Sequence, residues 1–425
     1  MSWHPTILNV SFVTLVAWAV FLGAFTRRVE LIVVTVPLLV AVAIGRRARP
    51  APAWDLSRQL SAQRLVEDER LRVTFTLRAH TDLPLIEFLE PLPPLVHLER
   101  GRNHAFFSLR DGEQAEWSFE LRCSARHQLR LGGPHVRLWG PLGLAAAETR
   151  QREPATVAIY PRFTALRRLP RPARTQTFMG NHVSPAQGEG IEPGDIRPFV
   201  PGDQIRHVNW RATLRLGGLH VTQHHPERNA DVILIVDTLS AVGPGGATVL
   251  DAAVRGAAAL AAGYLARKDR VGLIEYGGVL RWVRPGSGRA QLQRLLDTLI
   301  RMDVVFTYVT KDLDLVPARI LPPQALVIAF SPLLDLRFVK AVTDLAARDV
   351  DLVVVAVSPI GPTRAVVPPS AVADVAARLW TLERRAWFDK LRRNGLTIVE
   401  WDGVEPLDLA LASRRRPRRP RALPA

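Results

Sequence analysis

Three regimes of hydrophobic patterning follow one another along the chain. The first is apolar throughout. Ile7 to Phe25 is an uncharged run, broken by Arg27, Arg28 and Glu30; Leu31 to Ile44 follows, contains Pro37, and ends at Arg46, Arg47 and Arg49. The first run is long enough, at ~1.5 Å per helical residue, for a hydrocarbon core of ~30 Å. A cleaved secretory signal carries its positive charges ahead of the apolar stretch. Here neither Lys nor Arg precedes Ile7. The pattern predicts an uncleaved hairpin of two membrane helices, the second short enough to be a re-entrant or shallow segment instead. Arg46, Arg47, Arg49, Arg58 and Arg64 outnumber the two loop arginines, which places everything downstream in the cytoplasm by the positive-inside rule.

The second regime has a period of two. Leu71, Val73, Phe75 and Leu77 alternate with Arg72, Thr74, Thr76 and Arg78, and similar runs recur at 105–109, 116–121, 135–139 and 156–160. Turn formers such as Asp111-Gly112 and Gly132-Gly133-Pro134 separate them. This predicts a small antiparallel β-sandwich with Trp117 and Trp139 in its core. Arg167 to Thr177, rich in Pro and Arg, reads as a linker.

In the third regime, apolar strands alternate with amphipathic helices. Val232–Val236, Arg270–Tyr276, Ala325–Phe330, Asp351–Val357 and Leu396–Trp401 are strands. Between them Leu292, Leu295, Leu296, Leu299 and Ile300 lie on one helical face, and 250–267, 335–348 and 371–393 are helical too. Strands apolar on both faces imply a mostly parallel, doubly wound sheet with ligands at its carboxyl edge. The fold class is thus α/β plus all-β. The expected segments are an anchor over 1–50, a sandwich over 51–165, a linker and signature over 166–228, an α/β domain over 229–405 and a basic tail over 406–425.

Composition changes this picture little. A 48% hydrophobic content supports real cores, and the net charge of +16 comes mostly from scattered Arg. Only the tail concentrates it. Arg414 to Arg421 is either a solvated disordered end or an electrostatic anchor for anionic lipid; nucleic acid is not the expected partner. The single Cys123 excludes an internal disulfide framework and a Cys-rich metal site.

The irregular stretch Gly180–Arg228 is dense in turn formers, charges and aromatics. Pro201-Gly202-Asp203 reads as a tight turn, with Asp203 and Arg206 near enough to pair. Ile205, Val208 and Trp210 are expected to anchor one side in a core. Gly190, Glu192, Arg197, Pro201, Gly202, Asp203, Arg206, Trp210, Arg215, Leu219, Val221, Glu227 and Arg228 together closely resemble the signature of domain of unknown function 58. Phe199, Asn209, Arg211 and Thr213-Leu214 depart from it, and Asn209 removes a charge that the family carries there. The resemblance implies a two-helix membrane anchor, a β-rich middle part ending in a phrase like Gly140–Leu144, and a following A-type domain. It also implies association with MoxR-type AAA+ ATPases.

After that stretch, Asp237-Thr238-Leu239-Ser240 ends the first α/β strand and resembles the start of a von Willebrand factor A domain. The resemblance implies a divalent-cation site of hard oxygen ligands. Asp237 is in place, but Leu239 and Ala241 stand where the family has serines; Ser240 reaches the site only with a shifted loop. Thr310 and Asp335 are the implied distal ligands. Magnesium is the cation such a degenerate site would take, and a metal-free scaffold is the favoured reading. His220, His224 and His225 lack carboxylate or Cys partners at ligand spacing. Gly243–Gly246 lacks the Lys of a P-loop, and Ser184, Ser331 and Ser358 lack the Gly-x-Ser-x-Gly elbow. The expected function is a membrane-anchored, non-enzymatic interaction module, partner of a MoxR-type ATPase, without cofactor. The alternative is a divalent-cation-dependent receptor or enzyme using Asp237.

Overall fold

The structure is a computed structural model. It describes residues 3–46, 53–150, 154–170 (except 165 and 167), 182–183, 192–200, 205, 208–225, 227–228 and 231–412 (except 308, 310–312, 318, 323 and 349). It divides into two compact units, Met1–Tyr160 and Pro161–Ala425.

The first unit opens with strand β1 (Trp3–Pro5), followed by helices α1 (Ile7–Thr26), α2 (Val29–Val33) and α3 (Val36–Arg46). Thr6 caps α1 by accepting the Asn9 amide at 3.3 Å. It also fastens the helix start to the chain at 143–144, its hydroxyl donating to the Gly143 carbonyl at 2.7 Å and its amide to that of Leu144 at 3.1 Å. α1 is 20 residues long, apolar, and long enough to cross a membrane. The chain turns back at Arg27, whose φ of 54° is left-handed. A Cβ on Gly23 would lie 2.9 Å from Ile32, so this close return needs glycine. The expected second helix is broken in two. Pro37 offers no amide and is tolerated only in a first turn, and α3 accordingly starts one residue before it, at Val36. Its 11 residues reach about 16 Å, short of a ~30 Å core. One other helix passes the same test of length and hydropathy, Val249–Ala266, but most of it is buried within the second unit.

Eleven further strands follow. They are β2 (Trp54–Leu60), β3 (Arg64–Val66), β4 (Arg70–Ala79), β5 (Leu83–Leu89), β6 (Val96–Gly101), β7 (His104–Leu109), β8 (Gln114–Cys123), β9 (His127–Leu131), β10 (His135–Trp139), β11 (Ala145–Arg150) and β12 (Ala155–Tyr160). Sheets ordered β2-β4-β8-β6 and β1-β11-β10-β5-β7 are antiparallel; β3-β12-β9 contains a parallel pair, β12 with β3, so the antiparallel expectation fails there. Alternation sends Leu71, Val73, Phe75 and Leu77 inward, where Phe75 stacks on Trp117 with ring centroids 4.5 Å apart. Trp139 departs from expectation. Val136 and Leu138 take the inward positions of β10, so Trp139 faces outward, its Nε1 donating to Glu87 at 3.0 Å and the Arg137 guanidinium lying over its ring.

The second unit holds short strands β13 (His182–Val183) and β14 (Glu192–Pro198), helix α4 (Trp210–Leu216), and strands β15 (His220–His225) and β16 (Glu227–Arg228). Then come β17 (Asp231–Asp237), α5 (Val249–Ala266), β18 (Arg270–Tyr276), β19 (Leu280–Gly286), α6 (Gly288–Leu299), β20 (Leu326–Ser331) and α7 (Leu336–Ala346). β21 (Asp351–Val357), α8 (Ile360–Val366), α9 (Ala371–Arg393), β22 (Thr397–Trp401) and α10 (Leu407–Ala412) complete it. The main sheet has the order β19-β18-β17-β20-β21-β22, parallel except for the edge strand β19. Val232, Leu234 and Val236 face one core with Leu260 of α5 and Leu299 of α6. Ile233 and Ile235 face the other with Phe338 of α7 and Phe388 of α9. Leu169, in the stretch read as linker, packs into the first core, as do Leu407 and Leu411, in the stretch read as tail.

One buried ion pair stands out in the first unit. Arg58 Nη1 lies 3.6 Å from Glu90, with side chains 5% and 0% exposed. Burial pushes the Glu90 carboxyl above its usual range while Arg58 opposes the shift. Removing one member of such a pair strands the other charge. Glu90→Leu is expected to cost about 3–5 kcal/mol in urea unfolding, and Arg58→Met with Glu90→Leu to recover most of it. Equal losses in the single and double variants would refute the pairing.

Candidate functional site

The crevice at the carboxyl ends of β17 and β20 lies where the strand order reverses, since the connection after β17 runs to β18 on one side and β20 pairs on the other. Asp237 closes β17 there at 1% exposure. Its Oδ1 accepts the Leu239 amide at 2.9 Å and its Oδ2 the Ser331 hydroxyl at 2.5 Å. Ser331 Oγ in turn accepts the Leu333 amide at 2.8 Å. Strand register places the serine: Val236 pairs with Phe330, so the next residues, Asp237 and Ser331, are neighbours across the two strands. Burial raises the Asp237 carboxyl to about 6; the Ser331 and Leu239 hydrogen bonds pull it back. Asp335 pushes it up and Arg337 lowers it, more weakly.

Asp335 caps α7 and holds Arg337. Its Oδ1 accepts the Arg337 backbone amide at 2.8 Å and Nε at 3.0 Å, while Oδ2 accepts Nη2 at 2.7 Å. Nη1 donates to the Thr307 carbonyl at 2.8 Å. The bond to Arg337 keeps the Asp335 carboxyl below its usual range. Among the described residues the Ser240 hydroxyl is buried and has no hydrogen-bond partner. Thr310 lies outside the described residues. Among the described residues no group of three or more His, Cys, Asp and Glu can hold a metal. The crevice therefore brings Asp237 and Asp335 within electrostatic reach and adds two residues absent from the expected ligand set, Ser331 and Arg337. A polar residue ending an apolar strand was the available signal for Ser331; nothing local marked Arg337.

The signature segment forms a second place of interest. β14 and β15 pair antiparallel, with Arg197 opposite Val221, and α4 lies between them in sequence. Polar pins hold it. Asn209 caps α4 by accepting the Ala212 amide at 3.0 Å, and its Nδ2 donates to Thr222 at 3.0 Å. The His220 amide donates to Thr213 at 3.0 Å, and Gly217, at φ 72°, ends the helix. Ala212 and Val221 are buried. Trp210 and Ile205 are not anchored in a core as expected: they are 61% and 73% exposed, and Leu214 is 86% exposed. The small Ala212 is the position that α4 turns inward, so the larger apolar side chains face out. Arg211 and Arg215 are exposed beside them. Gly190, Pro201, Gly202, Asp203 and Arg206 lie outside the described residues, so the expected Asp203–Arg206 pair does too. Glu192 pairs with His225, and Glu227 and Arg228 pair with Val183 and His182, as strand backbone.

A family model described as "Protein of unknown function DUF58" matches residues 195–376, which hold both the α4 hairpin and the Asp237 crevice. An uncharacterised protein of Mycobacterium tuberculosis is 32% identical over 126 residues, 29% of this chain and 40% of that protein. The uncharacterised protein YeaD of Bacillus subtilis is 22% identical over 252 residues, 56% of this chain and 61% of the relative. The chain thus covers less than two thirds of these relatives. Among solved structures, alpha-2-macroglobulin from Escherichia coli aligns at 12% identity with a TM-score of 0.20 over 26% of this chain and 25% of that one, a likeness too slight to inform the fold.

The pH dependence has a definite sign. The folded state raises the Asp237 carboxyl from 3.8 to about 6. The native protein therefore takes up this proton before the unfolded chain does, and the stability due to Asp237 falls as pH rises between those values. Ser331→Ala removes the hydroxyl that supports the ionised form. It is expected to cost about 1.5–3 kcal/mol in denaturant unfolding near pH 8 and distinctly less near pH 5. An equal loss at both pH values would show that the bond does not serve the carboxylate.

Proposed function

We propose that this protein is a membrane-anchored, non-enzymatic interaction module, an adaptor or partner of a MoxR-type AAA+ ATPase. The α/β unit is read as a doubly wound, von Willebrand factor A-like domain. The α1 hairpin would hold it at the cell membrane with both units on the cytoplasmic side. The resemblance in the signature segment supports the choice of partner. The observation that carries the docking role is the outward ridge of α4, Trp210 and Leu214, flanked by the exposed Arg211 and Arg215.

Isolated exposed leucines are ordinary, but an exposed Trp beside two arginines has the composition of an interface hot spot, and Leu214, one helical turn on, extends its apolar area. The pins to Thr222 and Thr213 hold the ridge in place, which lowers the ordering cost of binding. A complementary partner presents an apolar groove with acidic neighbours.

Trp210→Ala with Leu214→Ala in the full-length, detergent-solubilised protein is expected to reduce co-purification of the ATPase about tenfold or more. Because both side chains face solvent, stability should stay within about 0.5 kcal/mol of wild type. Unchanged ATPase recovery from a normally folded variant would end the docking role of α4.

A further inference from the structure

We infer that the Arg337 guanidinium takes the place of a divalent cation in the Asp237 crevice, so that this site is built to hold together without metal. The inference concerns a different site from the α4 ridge and does not depend on it.

A cation at such a crevice does two things: it neutralises carboxylates and ties loops together. Arg337 does both. Its Nε and Nη2 hold the Asp335 carboxylate at 3.0 and 2.7 Å, and Nη1 reaches the Thr307 carbonyl at 2.8 Å, across 30 residues of sequence. Its charge also acts on Asp237. The carboxylate oxygens that a magnesium or manganese ion would need already accept protein donors. Both Asp237 oxygens accept protein donors, Ser331 and the Leu239 amide. Both Asp335 oxygens accept from Arg337. Leu239 and Ala241 have no side-chain oxygen to add. Magnesium demands a near-ideal octahedron of oxygens at about 2.0–2.1 Å. To enter, the ion would have to compete with these donors and displace the guanidinium from Asp335, against the repulsion of its fixed charge. The Ser240 hydroxyl, buried and without a hydrogen-bond partner among the described residues, is a further ligand-type oxygen three residues beyond Asp237.

The inference predicts that the guanidinium masks a latent site. Without Arg337, the Asp237 and Asp335 carboxylates and the Ser331 hydroxyl remain. The experiment uses full-length protein in detergent, with thermal unfolding and equilibrium dialysis against Mn²⁺ with and without EDTA. Wild type is expected to melt at the same temperature in all conditions and to bind no Mn²⁺ stoichiometrically. Arg337→Ala is expected to melt lower, to bind Mn²⁺ about tenfold or more tightly than wild type, and to regain stability with Mn²⁺ reversibly on EDTA. Arg337→Lys, which keeps the charge, should remain indifferent to metal, and Asp237→Asn added to Arg337→Ala should abolish the new binding. A wild type that binds one Mn²⁺ per chain, or that EDTA destabilises, overturns the inference. So does a folded Arg337→Ala variant that takes up no more Mn²⁺ than wild type. Should that variant fail to fold, dialysis of the wild type alone decides: bound metal refutes, none supports.

Discussion

The second unit depends on one constraint, the complete burial of β17. All seven residues from Asp231 to Asp237 are buried, with β18 hydrogen-bonded along one edge and β20 along the other. A strand apolar on both faces needs a cover on each, and α5 and α6 supply one while α7 and α9 supply the other. The same burial places a carboxylate at each end of the strand in poor solvent. At the start, Asp231 is pushed up by desolvation and drawn back by Arg270, 3.2 Å away. At the end, Asp237 meets a hydroxyl, an amide and, further off, the guanidinium of Arg337. The crevice is thus organised by the need to satisfy a buried charge.

The first unit solves a different problem, that of joining an apolar helix to a β structure without a linker. β1 adds to β11 at the edge of a five-stranded sheet, and α1 starts after a single intervening residue, its cap Thr6. An exposed sheet edge invites foreign strands; the edge strand here, β1, is only three residues long. The exposed apolar surface of α1 suits lipid, and the turn at Arg27 and Gly23 brings the chain back upon it.

The α4 hairpin reverses the usual arrangement. Hydrogen bonds from Asn209 and Thr213 face the strands, and the apolar side chains face solvent. A helix so short gains little from its own propensity, so the polar pins and the buried Ala212 hold it. That division of labour leaves Trp210 and Leu214 free to meet another surface, which the proposed adaptor role uses.

Much of the architecture was legible in the chain. Period-two alternation marked β4, β8 and β10, and continuous apolar runs marked β17, β20 and β21 at close to their observed bounds. Asp237 was recognisable because it ends such a run. Hydrophobic period is a local property, set by where successive side chains point along one element. The failures were of another kind. Trp139 faces outward because Leu138 takes the inward position, and Trp210 is exposed because the small Ala212 and the polar Thr213 are the residues of α4 turned towards the strands. Ser331 meets Asp237 across 94 residues of sequence. Arg337, two residues beyond Asp335, spans 30 to reach Thr307. Local pattern alone marks which segments are strands and helices and which carboxylate ends the central strand. Tertiary structure decided which donors that carboxylate meets, because neighbours across a parallel sheet follow from strand order and register, and no local pattern encodes those.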